Sequence, residues 1–441
     1  MSPDLHQAAL AAVAALSLAV VVTCSGHGQF APATSPQSTL DTRQSMKAPA
    51  SATPSTSASV PVVMASAAPA APAVAPGSSE PEALALGGFY AALAELSKGQ
   101  RKDHVRVLWL GDSHTAADYL THAVRRELQR RFGAGGPGFV RVGLGSYRHA
   151  GLKVSRDGPW SIEPVPPPRR SRQDDGVFGL GGLRAVGDAS AHARLELTGE
   201  GREGAARFEV LYTAPPPGKL ELKLGEQRKL ATGDPSPPAI DRFTLDGDAK
   251  LPLDLTVLGG TVRVFGVIVE SDKPGVVLDT AGIDGARVAT ALAWDRQAFA
   301  DEVAARKPDL AVIAYGTNEA FDAGNVDRYA GELGELVDRL RLGRPGLDCV
   351  ILGPPDAGAP TGGSPPRLAE IERVQRESAK KLGCGYYSLR AFMGGAGSYW
   401  QWVRENPPLA RPDRLHYSPK GYEKLGEGFA AALLAAYDRP R

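Results

Sequence analysis

Three short polar segments hold the residues with which this chain could carry out nucleophilic chemistry. GDSH at 111–114 and GTNE at 316–319 each follow an apolar run, and DRLH at 413–416 precedes an amphipathic stretch near the C-terminus. A serine becomes a nucleophile when a histidine accepts its proton and a carboxylate holds that histidine in place. The sequence therefore contains the residue types that acyl transfer through a serine requires.

Ser113 is the candidate nucleophile, and His416 is the candidate base. Ser113 lies where an apolar run turns into a helical pattern, a position that equally suits a serine that only caps the helix. His114 is a poor base for Ser113, because adjacent side chains on a tight turn diverge. His416 is the only histidine in the second half of the chain, and Asp413 is close enough along the loop to hold its ring.

Two further positions could stabilise the negative charge that develops on an ester oxygen during attack. The side chain of Asn318 could donate to that oxygen, although an asparagine is also an ordinary turn residue. Gly285 could offer a backbone N–H that only a turn without Cβ brings close, and it could equally be a plain left-handed turn.

The elements that must position these residues read as an α/β domain. Apolar runs of strand length at 105–110, 276–279, 310–315, 349–353 and 385–389 alternate with helical patterns at 116–132, 290–306, 325–341 and 366–382. Alternation of this kind predicts a doubly wound parallel sheet with helices on both faces. Ligands of such sheets bind beyond the carboxyl ends of the strands, where the polar turns lie.

A second, all-β region interrupts this pattern. Between 146 and 275 short alternating runs are separated by Gly, Pro and Asp clusters, with no helical period. This pattern predicts a β-sandwich or jelly roll inserted into the α/β domain, which then comprises residues 86–145 and 276–441.

The N-terminal segment predicts an exported protein. Residues 8–23 form an uncharged apolar run that suits a signal peptide and is short for a membrane span, and Cys24 follows it directly. Residues 1–24 therefore read as a lipoprotein signal with Cys24 as the lipidation candidate, a cleaved signal peptide, or an uncleaved membrane anchor. Residues 25–85, rich in Ala, Pro and Ser, predict a disordered tether in the periplasm or cell envelope.

The charge balance and the cysteine content bear on whether the chain binds nucleic acid or a metal. Fifty Lys and Arg residues face 49 Asp and Glu residues, and this net charge of +1 gives no basic footprint for nucleic acid. The three cysteines form no zinc-binding spacing. Ester hydrolysis through a serine needs neither a metal nor an organic cofactor, so none is expected. Cys349 and Cys384 each lie in an apolar run, which favours buried free thiols over a disulfide.

Taken in chain order, these polar segments resemble the four motif blocks of the SGNH (GDSL) hydrolase family. The family places Gly-Asp-Ser after its first strand, Gly after the second, Gly-Thr-Asn after the third and Asp-x-x-His before its last helix. The resemblance implies a flavodoxin-like parallel sheet with Ser113, His416 and Asp413 as the catalytic triad. It also implies an oxyanion hole formed by the Ser113 amide, Gly285 and Asn318, with Gly282 as the alternative to Gly285.

Longer stretches look like bacterial peptidoglycan O-acetylesterases, which carry a carbohydrate-binding-module-like β-domain between their first two blocks. These stretches are 111–140, GIDGA at 282–286 and AYGTNEAF at 314–321. The resemblance implies an exported serine esterase that removes O-acetyl groups from acetylated cell-wall polysaccharide. An esterase for another polysaccharide such as xylan, an O-acetyltransferase and a non-catalytic wall-binding protein remain as alternatives.

Tryptophans supply the candidate sugar-binding surfaces, because aromatic faces stack on sugar rings. Trp400 and Trp402 lie just upstream of Asp413, and Trp160 lies in the predicted insert. Packing in a core is the competing explanation for each of them.

Overall fold

The first strand–helix unit carries Ser113 on the turn that joins its strand to its helices. A computed structural model describes residues 86–439 except 146, 164–174, 234–239 and 324, so the predictions for residues 1–24, Cys24 and residues 25–85 lie outside it. The unit consists of α1 (Gly87–Ser97), β1 (Val105–Gly111), α2 (Ser113–Ala116) and α3 (Tyr119–Phe132). None of the helices in this described part is both long and apolar enough to cross a membrane.

Antiparallel strands follow as far as Ser271. They are β2 (Gly138–Val140), β3 (Leu152–Asp157), β4 (Trp160–Glu163), β5 (Arg184–Gly187), β6 (His192–Leu197), β7 (Ala205–Thr213), β8 (Lys219–Leu224), β9 (Gln227–Ala231), β10 (Asp241–Asp248), β11 (Leu253–Gly259) and β12 (Val262–Ser271). One sheet has the order β10-β7-β12-β5-β4, with β2 paired to β12, and the other has the order β3-β6-β11-β8-β9. Apolar side chains of both sheets form one buried cluster.

The chain then returns to alternating strands and helices. These elements are β13 (Val276–Gly282), α4 (Val288–Leu292), α5 (Arg296–Arg306), β14 (Leu310–Ala314), α6 (Val326–Gly343), β15 (Asp348–Gly353), α7 (Pro366–Leu382), β16 (Gly385–Ser388), α8 (Leu389–Met393), α9 (Ser398–Arg404) and α10 (Pro419–Asp438). Ser418 caps α10 by accepting from the N–H of Gly421, and Pro419 takes its first position, where no N–H is needed.

The parallel sheet has the strand order β13-β1-β14-β15-β16. Numbered along the chain this is the 2-1-3-4-5 order of doubly wound sheets, whose switch point lies between the first and third strands. Here those strands are β1 and β14, and Gly111 pairs with Gly282 on one side and Ala314 on the other. The turns that follow β1, β13 and β14 therefore meet at one edge of the sheet.

Helices cover both faces of this sheet. Leu108 and Leu110 of β1 join one buried cluster, which includes residues of α4, α5, α6 and α7. Val107 and Trp109 point to the other face and join a cluster with residues of α1, α3 and α10. Side chains alternate across a strand, so a strand covered on both faces must be apolar throughout, as β1 is.

The predicted α/β core is confirmed, and the type of the β-rich region stays a prediction. The five-stranded parallel sheet has the doubly wound order that the resemblance implies. The antiparallel sheets occupy the expected part of the chain, but neither the jelly-roll topology nor the predicted boundaries at 145 and 275 are tested by this observation.

The prediction of free thiols is wrong for Cys349 and Cys384, which form a disulfide. Parallel pairing of β15 with β16 sets Val350 beside Gly385, and the residues that precede this pair are the two cysteines, with Cα atoms 4.7 Å apart. Apolar patterns show that both segments are strands, but they do not reveal which strands pair or in which register.

A buried ion network joins the two kinds of sheet. Arg306 of α5 donates to Asp279 of β13 at 2.6 Å and to Glu270 of β12 at 2.6 Å. Glu270 also accepts from Arg106 of β1 at 2.8 Å. Burial raises the pKa of Glu270, but the two arginines lower it more, and the pKa is about 2. Four strongly desolvated groups thus hold β12 against β1 and β13.

Glu270 should make this protein sensitive to acid. A carboxyl whose pKa falls from 4.5 to about 2 on folding contributes about 3 kcal/mol above its ordinary pKa, and this is lost as the pH falls toward 2. We expect Glu270→Gln to lower the free energy of unfolding near neutral pH and to flatten its decline between about pH 5 and pH 3. Urea denaturation at each pH measures both effects.

The matched control is Asp246→Asn, which removes a carboxylate from an exposed pair with Arg207. Its stability should decline with acid as steeply as that of the unchanged chain. A Glu270→Gln profile that runs parallel to both would contradict the role given to this network.

Candidate active site

Ser113 occupies a tight strand-to-helix turn. A Cβ on Gly111 would lie 2.2 Å from Oγ1 of Thr115 and 2.9 Å from the carbonyl oxygen of Ala314, so only glycine fits at the end of β1. Asp112 caps the short helix α2 by accepting from the N–H of His114 at 2.9 Å. The cap is thus Asp112, and the Ser113 hydroxyl is free to point elsewhere.

That hydroxyl points at His416. Ser113 Oγ lies 3.1 Å from His416 Nε2, and His416 Nδ1 lies 3.1 Å from Asp413 Oδ2. The structure therefore brings together the three residues predicted for the triad, in the order serine, imidazole and carboxylate. This is the geometry in which a histidine can take the proton of a serine while a carboxylate holds its second nitrogen.

The Asp413 carboxylate is held by its own loop. Oδ1 accepts from the N–H groups of Leu415 at 2.9 Å and His416 at 2.8 Å, which leaves Oδ2 for the ring. Partial burial raises the pKa of Asp413, but the hydrogen bonds from these N–H groups lower it more, so the net pKa lies below its usual value. Asp413 therefore stays ionised wherever His416 has to act as a base.

The side chain of Tyr399, in α9, contacts the loop that carries Asp413 and His416. It is completely buried, and its hydroxyl lies within hydrogen-bond distance of the Arg411 carbonyl and of Asp413 Oδ1. The backbone N–H of Arg411 donates to the carbonyl of His416 at 2.9 Å and closes the loop. This role of Tyr399 was not predicted, because a tyrosine in a helical pattern is usually a packing residue.

The two predicted glycines differ in their surroundings. A Cβ on Gly282 would lie 2.4 Å from the backbone nitrogen of Ala116, so Gly282 is needed for β13 to pack against α2. Gly285 has φ +72° and open space where a Cβ would stand. Gly282 is thus explained by close packing between β13 and α2. Gly285 has no such packing role, so it remains the candidate for the backbone N–H of the oxyanion hole.

Asn318 lies on the turn after β14, beside the turn that contains Gly285. Its Nδ2 donates to the carbonyl of Ala286 at 2.9 Å, and the second hydrogen of this amide remains available to an incoming oxygen. Glu319 holds the same turn, because it accepts from the N–H groups of Val288 at 2.9 Å and Gly316 at 3.0 Å. The sequence analysis includes Glu319 in the GTNE segment, but it does not predict that this side chain holds the turn.

Two acidic groups beneath the site hold protons unusually tightly. Burial and the nearby charge of Glu319 raise the pKa of Asp112 to about 7. Burial also raises the pKa of Glu319 to about 7, although backbone N–H groups counteract it. His114, in contrast, has a pKa lowered to about 3 by burial and by the nearby His416. Nδ1 of His114 lies 3.0 Å from the Tyr422 hydroxyl, so this ring is held on the side of α10.

Arg141 connects the turn after β13 to the antiparallel region, and it was not predicted. Its guanidinium is buried and donates to the carbonyls of Gly282 and Gly181, each at 2.6 Å. Burial lowers the pKa of this guanidinium. The region between β1 and β13 therefore contacts the edge of the sheet where the predicted oxyanion turn lies.

The predicted sugar-binding tryptophans have three different environments. Trp400 is half-buried and lines an open concavity. Trp402 is buried at 5% exposure and packs edge-on against Tyr417, so the prediction that Trp402 binds substrate is wrong. One face of α9 packs on the core, and the sequence does not show whether Trp400 or Trp402 lies on that face. Trp160 packs against Gly143 and Gly187 among the antiparallel strands.

In the described ranges, no group of three or more His, Cys, Asp and Glu side chains is arranged to hold a metal ion.

Two comparisons with known proteins find similarity to acylhydrolases. The model of the GDSL-like lipase/acylhydrolase family matches residues 259–424, which include Gly285, Asn318, Asp413 and His416 but not Ser113. The solved structure of a peptidoglycan O-acetylesterase matches with a TM-score of 0.68 and 26% identity, over 79% of this chain and 96% of that chain. No curated protein matches the sequence.

Other similar structures cover much less of the chain. A lipase/acylhydrolase from Enterococcus faecalis is 22% identical over 37% of this chain and 76% of its own, with a TM-score of 0.28. An acetyl xylan esterase is 16% identical over 38% of this chain and 82% of its own, also with a TM-score of 0.28.

The family match and the fold together account for both halves of the α/β domain. The matched residues supply the part after most of the antiparallel strands, and the structural similarity covers 79% of the chain. The chain is thus similar to the GDSL-like lipase/acylhydrolases over the matched residues, it has the fold of an SGNH hydrolase, and it is a carboxylic ester hydrolase.

Proposed function

We propose that this chain is an exported O-acetylesterase that removes acetyl groups from peptidoglycan. The observation that carries the chemistry is the chain of hydrogen bonds from Ser113 Oγ through His416 to Asp413, at the switch point of the sheet. It supports a serine ester hydrolysis in which Ser113 is the nucleophile, His416 the general base and Asp413 the group that orients it.

The proposed reaction runs in two halves. His416 Nε2 takes the proton of Ser113 while Oγ attacks the acetyl carbonyl, and the oxyanion is held by the N–H groups of Ser113 and Gly285 and by Asn318 Nδ2. His416 then gives its proton to the departing sugar oxygen, which leaves an acetyl ester on Ser113. A water molecule, deprotonated by His416, attacks this ester and releases acetate.

The choice of peptidoglycan rests on the extent of one structural similarity. Residues 86–145 and 276–441 make up about half of the chain, whereas the similarity to the peptidoglycan O-acetylesterase covers 79% of it. The antiparallel sheets must therefore contribute to that match. This supports a shared substrate class in addition to a shared α/β core, and it supports the sheets as the wall-binding part.

Acetate release tests the proposal directly. We expect the chain to release acetate from O-acetylated peptidoglycan faster than from acetylated xylan, and Ser113→Ala to lower kcat by at least about 10³-fold with an unchanged melting temperature. Coupled enzymatic detection of acetate measures both.

Release from xylan alone would keep the chemistry and overturn the substrate. Turnover by Ser113→Ala at the rate of the unchanged chain would overturn the mechanism. Release of sugar-bound acetyl groups to another sugar, without free acetate, would favour a transferase.

Asn318 is expected to act only while the oxyanion exists. Removing one such donor costs about 10²–10³ in kcat, so Asn318→Ala should show this loss with little change in KM. The matched control is Asn325→Ala, because Asn325 is an asparagine on a nearby turn whose side chain instead accepts from the N–H of Asp327 and caps α6. Equal kcat values for the two variants would remove Asn318 from the oxyanion hole.

We also propose that the chain acts outside the cytoplasm, held by a lipid on Cys24. The apolar run at 8–23 and the cysteine that follows it support this location. Metabolic labelling with palmitate should mark the full chain, and Cys24→Ala should abolish the label while leaving the protein exported. Label that persists in Cys24→Ala would contradict lipidation at this residue.

A further inference from the structure

An open concavity adjoins the loop that carries Asp413 and His416. It is lined by the loop at 360–363 and by Trp400, Gln401 and Arg404 of α9. One hydrogen bond and one sequence neighbour connect it to the candidate active site. The N–H of Gly358, beneath the Trp400 ring, donates to the carbonyl of Arg414 at 2.9 Å. Trp400 also directly follows Tyr399, which supports Asp413.

The indole of Trp400 is fixed in this wall. Its Nε1 donates to the carbonyl of Gly363 at 3.1 Å, and its ring packs edge-on against Tyr399 with centroids 5.6 Å apart. A Cβ on Gly358 would lie 2.8 Å from the six-membered part of the indole, so glycine lets the ring seat closely. Because these contacts already immobilise the half-buried ring, a sugar could stack on its exposed face without a further loss of side-chain entropy on binding.

Positive charge accompanies this platform. Arg404 is exposed, and within the described part of the chain it forms no ion pair. Arg411 and Arg414, on the loop that leads to His416, are likewise exposed and form none with described residues. The one carboxylate among residues 411–416 is Asp413, which is engaged by His416. A guanidinium left unpaired beside an aromatic platform suits a planar anion such as a carboxylate.

We infer that this concavity is a subsite for a sugar that carries a carboxylate, with Trp400 stacking on the ring and Arg404 binding the acid. Gln401 adds an amide that can donate to and accept from a sugar hydroxyl or acetamido group. Only the identity of the natural polymer rests on the proposed function. Peptidoglycan contains muramic acid and carboxylate-bearing peptides, whereas unsubstituted acetylxylan has no acidic group.

A pair of sugars that differ only in the acidic group tests the subsite without turnover. N-acetylmuramic acid is N-acetylglucosamine with an added lactyl carboxylate, and both can be titrated into the full chain carrying Ser113→Ala. The readout is the NMR signal of the Trp400 indole N–H, identified by its loss in Trp400→Phe. We expect half-saturation at a concentration about tenfold lower for the acidic sugar.

Arg404 variants decide which residue supplies that preference. Arg404→Met should make the two sugars bind alike, and Arg404→Lys should restore part of the difference because it keeps the charge but not the forked geometry. The matched control is Arg439→Met. Arg439 follows the C-terminal end of α10, and the N-terminal end of this helix, near His416, is about 30 Å away. This control should keep the full preference.

Two results would overturn the subsite: equal binding of the two sugars before any change at Arg404, or a preference that survives in Arg404→Met. Neither depends on whether acetate is released. A chain that binds the acidic sugar preferentially but releases no acetate from peptidoglycan would keep the subsite and overturn the proposed function.

Discussion

The pairing of β1 with both β13 and β14 is the constraint on which the rest of the site depends. Ser113, Gly285 and Asn318 come from three turns that are far apart in sequence, and each turn lies where it does because its strand ends at this edge of the sheet. The close packing at Gly111 and Gly282 leaves no room for side chains between these strand ends. The register of three strands thus sets the positions of the groups that would surround an ester carbonyl.

His416 reaches this edge from a different direction, on the loop between α9 and α10. Asp413 organises the loop by accepting two of its N–H groups, and Tyr399 and the start of α10 hold it on the core. The same carboxylate that orients the imidazole therefore also shapes the loop that carries it. This double use explains how a short exposed segment can present a histidine accurately to a serine on another turn.

Much of this arrangement could be predicted from the sequence because it depends on local patterns. Continuous apolar runs identified the parallel strands, and the amphipathic stretch after DRLH at 413–416 is the helix α10 of the structure. Features that depend on register or on the buried side of a helix could not be predicted. The Cys349–Cys384 disulfide follows from strand pairing, and the burial of Trp402 follows from which face of α9 meets the core. The supports at Glu319, Tyr399 and Arg141 also appear only when distant segments are brought together.

We propose that the hydroxyl of Ser113 is the nucleophile of this esterase. Treatment with a small sulfonyl fluoride followed by peptide mass spectrometry can identify the nucleophile, because the sulfonyl ester of a reactive serine is stable. We predict one modification, on Ser113, that forms in parallel with the loss of esterase activity and is absent from Ser113→Ala. Loss of activity with modification at another residue, and none at Ser113, would contradict the account.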